Sequence, residues 1–443
     1  MNLSKVFSMI SNFKIRFVIP GLIVLASTTT LCSQTDVFLK IYTKTFQRME
    51  VDLYPFVGEL SGKDSDAISK LITEALSNDL WMSGFFKVNV KSGTPPDRAN
   101  DPKARSDGKA NALAWVTGQF RIEKKTITVR PHVVDATSAR TIIRKDYADL
   151  FGSERYIVHR IADDIVYSLT GEKGVAESKI AFVHQNKDGT KEIAVMDYDG
   201  YHATDITADK SINLSPAWSP DGSKICYTSY KDGNPNLYIL NFPTNTQSPL
   251  SSLQGLNSAP AWSPDASQIA LTLTKDGNAE IYILAVEKKT FRRLTFNRAI
   301  DSSPSWSPSG REIAFTSDRS GSPQIYIMDS DGANVRRLTF EGGYNASPNW
   351  SPRGDKIAYV SRTETGFDIF TIDVTGDNMM RLTQNSGSNE NPSWSPNGFA
   401  LIFSSTRSGT KEIYSMFWDG SHPKRLTAGG INYSPAWSPR INY

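Results

Sequence analysis

The sequence predicts a small α/β domain at residues 34–172, followed at residues 178–443 by an all-β six-bladed β-propeller that its own C-terminal strand closes. Three observations predict this fold. A Trp-Ser-Pro motif recurs six times, short β-branched and aromatic segments separated by turn residues follow it, and the first and last copies of the repeat are each incomplete. Four short strands in a repeat of about 40–45 residues are typical of a propeller blade.

The first 33 residues have the pattern of a secretory signal peptide. Lys5, Lys14 and Arg16 precede about ten apolar residues at 17–26, and small residues follow. This apolar run is shorter than the roughly 20 residues that span a bilayer, and an uncleaved membrane anchor is the alternative. We therefore expect export with cleavage near Ser33. The mature chain would then hold one cysteine and no internal disulfide.

Between this leader and the repeats, strand and helix patterns alternate. Strands are predicted at 51–56 and 85–90, on either side of a helix at 65–81 that begins near Ser65 or Asp66. Further elements are expected after a polar loop at 91–109. They are three successive strands at 114–122, 126–136 and 140–148, and a helix at 153–170 that ends at Gly171. Together they predict one or two helices on a mixed sheet.

The propeller repeats share one order of segments. A turn related to Ser-Pro-Asp-Gly follows each tryptophan, because proline presets φ and glycine tolerates the exit from the turn. Two further strands and an Arg-Leu-Thr segment complete the unit. Since each tryptophan can bury about 150–250 Å², worth roughly 4–6 kcal/mol, we expect them to pack between blades. Spaced by 44, 44, 44, 44 and 43 residues, they are Trp218, Trp262, Trp306, Trp350, Trp394 and Trp437.

The two ends of the repeat region complement each other. The segment that begins at Lys179 is in register with the repeat but has no Trp-Ser-Pro before it, whereas 433–437 resembles a first strand without the other three. Joining the two completes a sixth blade and closes the ring, which removes exposed strand edges. We therefore predict that the C-terminal strand pairs with the strand at Lys179.

A carboxamide or carboxylate stands five positions before every tryptophan of the repeat. Because the first strand of a blade lines the central channel, we expect these side chains to form a polar ring at the channel mouth. There they could exchange hydrogen bonds with a partner or hold a cation. The alternative is that they bond their own backbone and start a turn. The six residues of this first-strand ring are Asn213, Asn257, Asp301, Asn345, Asn389 and Asn432.

The sequence contains no recognised catalytic or metal-binding motif. It has no Gly-x-Ser-x-Gly segment, phosphate loop or His-Glu-x-x-His, and its five histidines are dispersed. His159, on the second predicted helix, is expected to be packed and not a general base. The formal charge of +3, from 49 basic and 46 acidic residues, is too small to indicate a nucleic-acid-binding surface. We therefore expect no enzyme activity, no cofactor and no metal.

The arrangement as a whole resembles the TolB family of the Tol–Pal envelope system. The most specific stretch is "SLTGEKGVAESKIAFVHQ…KEIAVMDYDGYH" at 168–202, followed by "SPAWSPDGSKICYTS". The resemblance implies a monomeric periplasmic scaffold that reaches membranes through its partners and supports outer-membrane integrity and invagination during cell division. Its propeller face would bind the lipoprotein Pal, and its N-terminal segment and front domain would engage TolA.

Carried onto this chain, the resemblance assigns the Pal contacts to the first-strand ring, with Asn257 and Asp301 foremost. It assigns the TolA contacts to the N-terminal segment, where threonine and arginine interrupt the hydrophobic pattern at 34–56. The residues of that segment are Asp36, Val37, Leu39 and Ile41.

Two other functions stay open on the sequence alone. One is a propeller hydrolase with a metal in the channel, whose ligands would come from the first-strand ring; one acid among six ligands would hold calcium weakly. The other is a glycan-binding propeller at the cell surface. A peptidase of the prolyl-oligopeptidase type would need a catalytic domain and a nucleophile elbow, and we expect neither.

Overall fold

A computed structural model describes residues 48–59, 63–94 and 112–441, which belong to one compact unit. The predicted signal peptide and the proposed TolA contacts Asp36, Val37, Leu39 and Ile41 lie outside the described residues, as does most of the loop at 91–109. Among the helices that the structure describes, none has the length and apolarity needed to cross a membrane.

The front part is a six-stranded mixed sheet with two helices. The strand order is β2-β1-β3-β4-β5, and β6 also pairs with β4. Strand β1 is parallel to both β2 and β3, and the remaining pairs are antiparallel. The elements are β1 Met49–Gly58, α1 Lys63–Met82, β2 Phe86–Val90, β3 Ala114–Glu123, β4 Thr126–Asp135, β5 Thr141–Ile143, β6 Tyr147–Leu150 and α2 Glu154–Thr170.

The core of the front part follows from the two periodicities of its sequence. Strand β1 buries alternate residues such as Val51 and Leu53, and α1 buries Ile72, Leu76 and Leu80 at four-residue spacing. These side chains join those of α2 in a single hydrophobic cluster. The mixed sheet with helices that the sequence predicts is therefore present.

Two predicted elements of the front part differ from those observed. Helix α1 begins at Lys63, two residues before the predicted Ser65. The strand predicted at 140–148 is divided into β5 and β6, which both pair with β4 in one register, Ile143 opposite Val133 and Tyr147 opposite Val129. Pro131 lies between these two points on β4 and has no N–H to give to the ladder, so pairing stops there.

The end of α2 agrees with the sequence. Gly171 has a φ of 73° and donates its N–H to the carbonyl of Tyr167 at 2.8 Å, which stops the helix in the left-handed conformation that glycine adopts without strain.

Six four-stranded antiparallel sheets form the blades of the propeller. Blades 1 to 5 follow one another along the chain, each listed from its innermost strand. Blade 1 is β10 Asn213–Trp218, β11 Lys224–Ser229, β12 Asn236–Asn241 and β13 Thr246–Ser251; blade 2 is β14 Asn257–Trp262, β15 Gln268–Leu273, β16 Glu280–Ala285 and β17 Thr290–Arg293. Blade 3 is β18 Asp301–Trp306, β19 Glu312–Ser317, β20 Gln324–Asp329 and β21 Arg336–Arg337. Blade 4 is β22 Asn345–Trp350, β23 Lys356–Thr363, β24 Gly366–Asp373 and β25 Met380–Arg381; blade 5 is β26 Asn389–Trp394, β27 Ala400–Ser405, β28 Glu412–Phe417 and β29 Lys424–Arg425.

Blade 6 combines the two ends of the propeller and closes the ring. Its order is β30-β7-β8-β9, from β30 Ile431–Trp437, β7 Lys179–Gln185, β8 Lys191–Asp197 and β9 Thr204–Asp205. Strand β30 is antiparallel to β7, with Trp437 opposite Ile180. The indole Nε1 of Trp437 donates to Ser178 Oγ at 2.7 Å, just ahead of β7. The predicted closure by the C-terminal strand is confirmed.

The repeated tryptophans pack between blades, as expected. The indole Nε1 of Trp262 donates to the carbonyl of Ala217 in the preceding blade at 3.2 Å, and Trp306 bonds Ala261 in the same way at 3.1 Å. Trp262 also shares a buried cluster with Leu237 of blade 1. The tryptophans therefore hold neighbouring blades together and do not form an aromatic cage.

The connections of the blades lie at two ends of the ring. We call the turn face the side formed by the turns that follow the first and the third strand of each blade. We call the loop face the other side, which is formed by the turns after the second strand and by the connections from one blade to the next. The front part contacts the turn face: the rings of Phe85 and Phe399 lie 4.7 Å apart, and those of Trp81 and Phe417 lie 5.2 Å apart.

Candidate protein-binding face

The six residues of the first-strand ring lie at the loop-face end of the innermost strands, where the sequence places them. Their side chains, however, are between 0% and 5% exposed. The expected solvent-facing polar ring at the channel mouth is therefore not formed. Five of the six bond a buried polar group in the wall, and Asp301 bonds the part-buried Asn297 and Arg319. The six buried residues are Asn213, Asn257, Asp301, Asn345, Asn389 and Asn432. Their assignment to a partner stays a prediction.

The partners of the ring belong to a second and a third repeated position. An acid or amide lies at or near the start of the third strand of each blade, and a threonine or serine follows it 15 residues later. We call this acid or amide, this hydroxyl and the ring residue of the next blade a latch. The acid or amide positions are Glu192, Asn236, Glu280, Gln324, Asp368 and Glu412, and the hydroxyl positions are Thr207, Ser251, Thr295, Thr339, Thr383 and Thr427.

The latch between blades 5 and 6 is complete. Glu412 Oε2 accepts hydrogen bonds from Thr427 Oγ1 at 2.5 Å and from Asn432 Nδ2 at 2.8 Å. Its Oε1 accepts from Arg425 Nη2 at 2.8 Å and from the Gly429 N–H at 3.0 Å. Burial raises the pKa of Glu412, but these hydrogen bonds outweigh burial and leave the pKa below its usual value. The carboxylate is fully used in joining two blades.

Blades 1 and 2 modify the latch according to the residues available. Asn236 of blade 1 bonds its neighbours instead, and Ser251 Oγ donates directly to Asn257 Oδ1 at 2.7 Å. In the next latch, Asp301 stands where the others have asparagine. In the usual latch geometry the Asp301 carboxylate would be repelled by that of Glu280. Asp301 instead accepts a hydrogen bond from Arg319 Nη2 at 2.9 Å.

The latches leave apolar residues exposed on the loop face. Phe296 and Phe340 follow directly after the latch threonines of blades 2 and 3 and are 74% and 72% exposed. Ile300, directly before Asp301, is 55% exposed. Exposed apolar side chains grouped on one surface mark protein-binding sites. The sequence analysis missed them, although two consecutive repeats read Arg-Leu-Thr-Phe.

Arginines support the two exposed phenylalanines. The guanidinium of Arg293 lies 4.9 Å from the ring centre of Phe296, and Arg337 lies 4.9 Å from that of Phe340. Such stacking fixes the orientation of an aromatic ring that would otherwise rotate freely in water. The loop face therefore presents two oriented aromatic side chains on neighbouring connections.

A second polar cluster joins the front part to blade 6. Atoms of Asp79, His159 and Asp199 lie within 4.8 Å of one another, a spacing that suits a metal ion. These groups already have protein partners: His159 Nδ1 lies 2.7 Å from Asp79 Oδ2, the hydroxyl of Tyr198 donates to Asp79 Oδ1 at 2.7 Å, and Arg155 pairs with Asp199. The cluster is a charge-compensated junction.

His159 is packed, as the sequence predicts, with 4% of its surface exposed. Burial lowers the pKa of His159, but the charge of Asp79 and its hydrogen bond outweigh burial and raise the pKa above its usual value. The imidazole serves the junction between α2, α1 and blade 6.

Comparisons with known proteins identify the family. A family profile described as the TolB beta propeller domain matches residues 166–441, more than half of the chain. The Tol-Pal system protein TolB of Geobacter sulfurreducens is 39% identical over 169 residues, and that of Geobacter metallireducens is 43% identical over 174 residues. Each alignment covers 38% of this chain and 39% of the relative, so the matched segments span about two fifths of the relatives' length.

A solved structure extends the similarity to the front part. The crystal structure of TolB from Acinetobacter baumannii superposes with a TM-score of 0.77 at 29% sequence identity. It covers 89% of this chain and 97% of the other. The predicted fold and the resemblance drawn from the sequence are both confirmed: the chain belongs to the TolB β-propeller family.

Proposed function

We propose that this chain is a non-enzymatic, periplasmic component of the Tol–Pal system that acts by binding other proteins. Its loop face binds a Pal-like lipoprotein, its N-terminal segment engages a TolA-like protein, and together they support the outer membrane during division. The names of its relatives and its family membership support this role. The proposal retains the domain bounds 34–172 and 178–443 and a cleaved signal peptide at 1–33.

The exposed apolar surface of the loop face carries the proposal. Phe296, Ile300 and Phe340 are each more than half exposed on two successive blade connections. Helices α1 and α2 contact the turn face, so these residues are not used in holding the front part. Oriented aromatic side chains are the usual anchors of a protein interface.

The buried acids argue for a structural role of the channel wall. In the latches, carboxylates such as Glu412 accept several hydrogen bonds at once, and none of these is directed to solvent. A general base is a group such as a carboxylate or imidazole that lies within reach of a substrate proton. The assignment of the first-strand ring to the Pal-like partner is kept as part of the proposal. Because its side chains bond one another and the wall, we infer that the ring supports binding by holding the exposed residues beside it.

The proposal is tested by binding of the soluble domain of the Pal-like lipoprotein from the same organism, measured by calorimetry. We expect the double substitution Phe296→Ala and Phe340→Ala to weaken binding at least about tenfold, because each removes an aromatic anchor. Phe151→Ala is the matched control, since Phe151 is 54% exposed but lies in the front part. Unchanged affinity in the double variant, or equal loss in the control, would refute this use of the loop face.

The TolA-like partner is tested separately. Deleting residues 34–45 should abolish binding of a TolA-like protein and leave binding of the Pal-like protein unchanged. If both partners are lost, the two sites are not separate as proposed. If the TolA-like protein still binds, the N-terminal segment is not its site.

A further inference from the structure

Four blades carry an arginine in their outermost strand that recurs every 44 residues. Three of the four form an ion pair with the acid of their own latch. Arg293 Nη2 lies 2.8 Å from Glu280 Oε1, Arg381 Nη2 lies 2.5 Å from Asp368 Oδ2, and Arg425 Nη2 lies 2.8 Å from Glu412 Oε1. In blades 2, 4 and 5 the positive charge is therefore neutralised inside the blade.

Arg337 of blade 3 is the exception. The latch position there is Gln324, whose amide oxygen still accepts from Thr339 Oγ1 and Asn345 Nδ2, each at 2.8 Å. Its Nε2 donates to the carbonyl of Gly342 at 3.1 Å. The latch is thus kept while its charge is lost. Across the described residues, no carboxylate lies within 4 Å of the Arg337 guanidinium.

The position of Arg337 is nevertheless fixed like that of its counterparts. Its Nε donates to the carbonyl of Thr339 at 2.6 Å, as Arg425 Nε does to Thr427 at 2.6 Å. The guanidinium stacks on the ring of Phe340, which is 72% exposed. One side of the guanidinium is occupied, and the Nη groups have lost the acid that they bond in the other three blades.

We propose that Arg337 and Phe340 form an anchoring point for a carboxylate on the protein partner. The proposal rests on the proposed function, since it assigns a chemistry to the same loop face. A pre-oriented guanidinium binds a carboxylate through charge-assisted hydrogen bonds. The exposed ring of Phe340 lies beside it, and Phe296 and Ile300 are exposed on the preceding connection of the same face. The partner therefore presents an aspartate or glutamate within an apolar surface.

Substitution at position 337 tests this inference with the soluble domain of the Pal-like lipoprotein as the probe. Arg337→Gln should weaken binding about tenfold and flatten its salt dependence, because an ion pair across the interface is lost. Its melting temperature should fall less than that of Arg293→Gln, since the bond from Arg337 Nε to the Thr339 carbonyl is lost but no internal acid is left unpaired. Arg293→Gln is the matched control: it stacks on Phe296 in the same way but neutralises Glu280, so it should lower the melting temperature.

A second variant approaches the same point from inside the blade. Gln324→Glu restores the acid found in blades 2, 4 and 5 and should draw Arg337 into an internal ion pair, which weakens partner binding without removing the arginine. The carbonyl of Gly342 must rotate away from the new carboxylate, and the adjacent Gly342–Gly343 pair makes this rotation accessible.

The outcomes separate the two proposals. If the unmodified chain does not bind the probe, the proposed function itself fails. If it binds, and neither Arg337→Gln nor Gln324→Glu changes the affinity or its salt dependence, the carboxylate anchor alone is wrong. A fall in melting temperature for Arg337→Gln as large as that for Arg293→Gln would likewise overturn it, because it would show a structural role.

Discussion

Two tryptophans at the closure of the ring offer a matched test of what one indole N–H contributes. Trp437 and Trp218 are both 8% exposed and occupy the same repeat position. The Nε1 of Trp437 donates to Ser178 Oγ, whereas the Nε1 of Trp218 is buried and has no hydrogen-bond partner among the residues that the structure describes. Replacing each by phenylalanine removes a similar apolar area and differs in this one group.

The expected difference follows from the cost of a buried polar atom. Trp437→Phe removes a bond with a net value of about 1 kcal/mol and leaves the Ser178 oxygen without its donor, at a further cost of about 1 kcal/mol or more. Trp218→Phe instead removes an unsatisfied donor. We therefore expect Trp437→Phe to be less stable than Trp218→Phe by about 2 kcal/mol.

Urea unfolding followed by circular dichroism measures this difference, since the signal does not depend on the tryptophans that are changed. The two variants should have similar slopes and different midpoints. Equal midpoints would show that the indole bond to Ser178 does not help to close the ring. A lower midpoint for Trp218→Phe would reverse the reasoning altogether.

Three further predictions concern closure, the latch and pH. Deleting residues 433–443 removes most of β30, and we expect loss of cooperative unfolding of the whole propeller; an unchanged melting curve would refute closure by this strand. Glu412→Ala leaves Arg425, Thr427 and Asn432 without their acceptor and should cost about 3–5 kcal/mol, whereas Glu412→Gln, the residue that blade 3 uses at Gln324, should cost less than half as much in the same denaturation assay. Burial raises the pKa of Asp163 to about 7, despite hydrogen bonds from the N–H groups of Ala176 and Glu177. Because the folded chain then holds a proton that the unfolded chain has released, stability should fall as pH rises from about 4 to about 7. Asp163→Asn should flatten that fall, and a variant with an unchanged pH profile of midpoints would assign the dependence to another group.

The ring closure was predictable because it depends only on the register of the repeat, which is visible in the amino-acid sequence. The strand that begins at Lys179 has no Trp-Ser-Pro motif before it, and the strand that ends at Trp437 is a first strand without the other three. The two therefore complete one blade. The split of the strand at 140–148 was less accessible. Its cause is Pro131, which lies on a different strand and matters only once the two strands are paired.

The burial of the first-strand ring was missed for a different reason. A polar residue repeated at one position has the same pattern whether it meets water or a buried acid. The information was nevertheless in the chain, because Glu412 and Asn432 belong to two series that repeat together at a separation of 20 or 21 residues. Two polar positions that recur in step indicate a contact between them.

The latch also explains where the loop face can vary. The position after the latch hydroxyl is held in place but points outward, and it differs from blade to blade: Ala208, Ser252, Phe296, Phe340, Gln384 and Ala428. Bulky residues occur there only on the connections between blades 2, 3 and 4. The proposed recognition surface therefore lies on one side of the ring, where a constant wall supports variable residues.

This asymmetry bears on how the two ends of the molecule communicate. Helix α1 contacts blades 5 and 6 through Trp81 and Asp79, on the turn face. The exposed phenylalanines lie on the connections between blades 2, 3 and 4, on the opposite side of the propeller and on its loop face. The front part also reaches blade 4, where Arg353 Nη1 lies 3.6 Å from Glu172 Oε1. Any coupling between Phe296 and α1 would still cross the junctions between blades. Those junctions are the latches and the repeated tryptophans, and a change that loosens one, such as Glu412→Gln, should alter coupling while both binding sites remain intact.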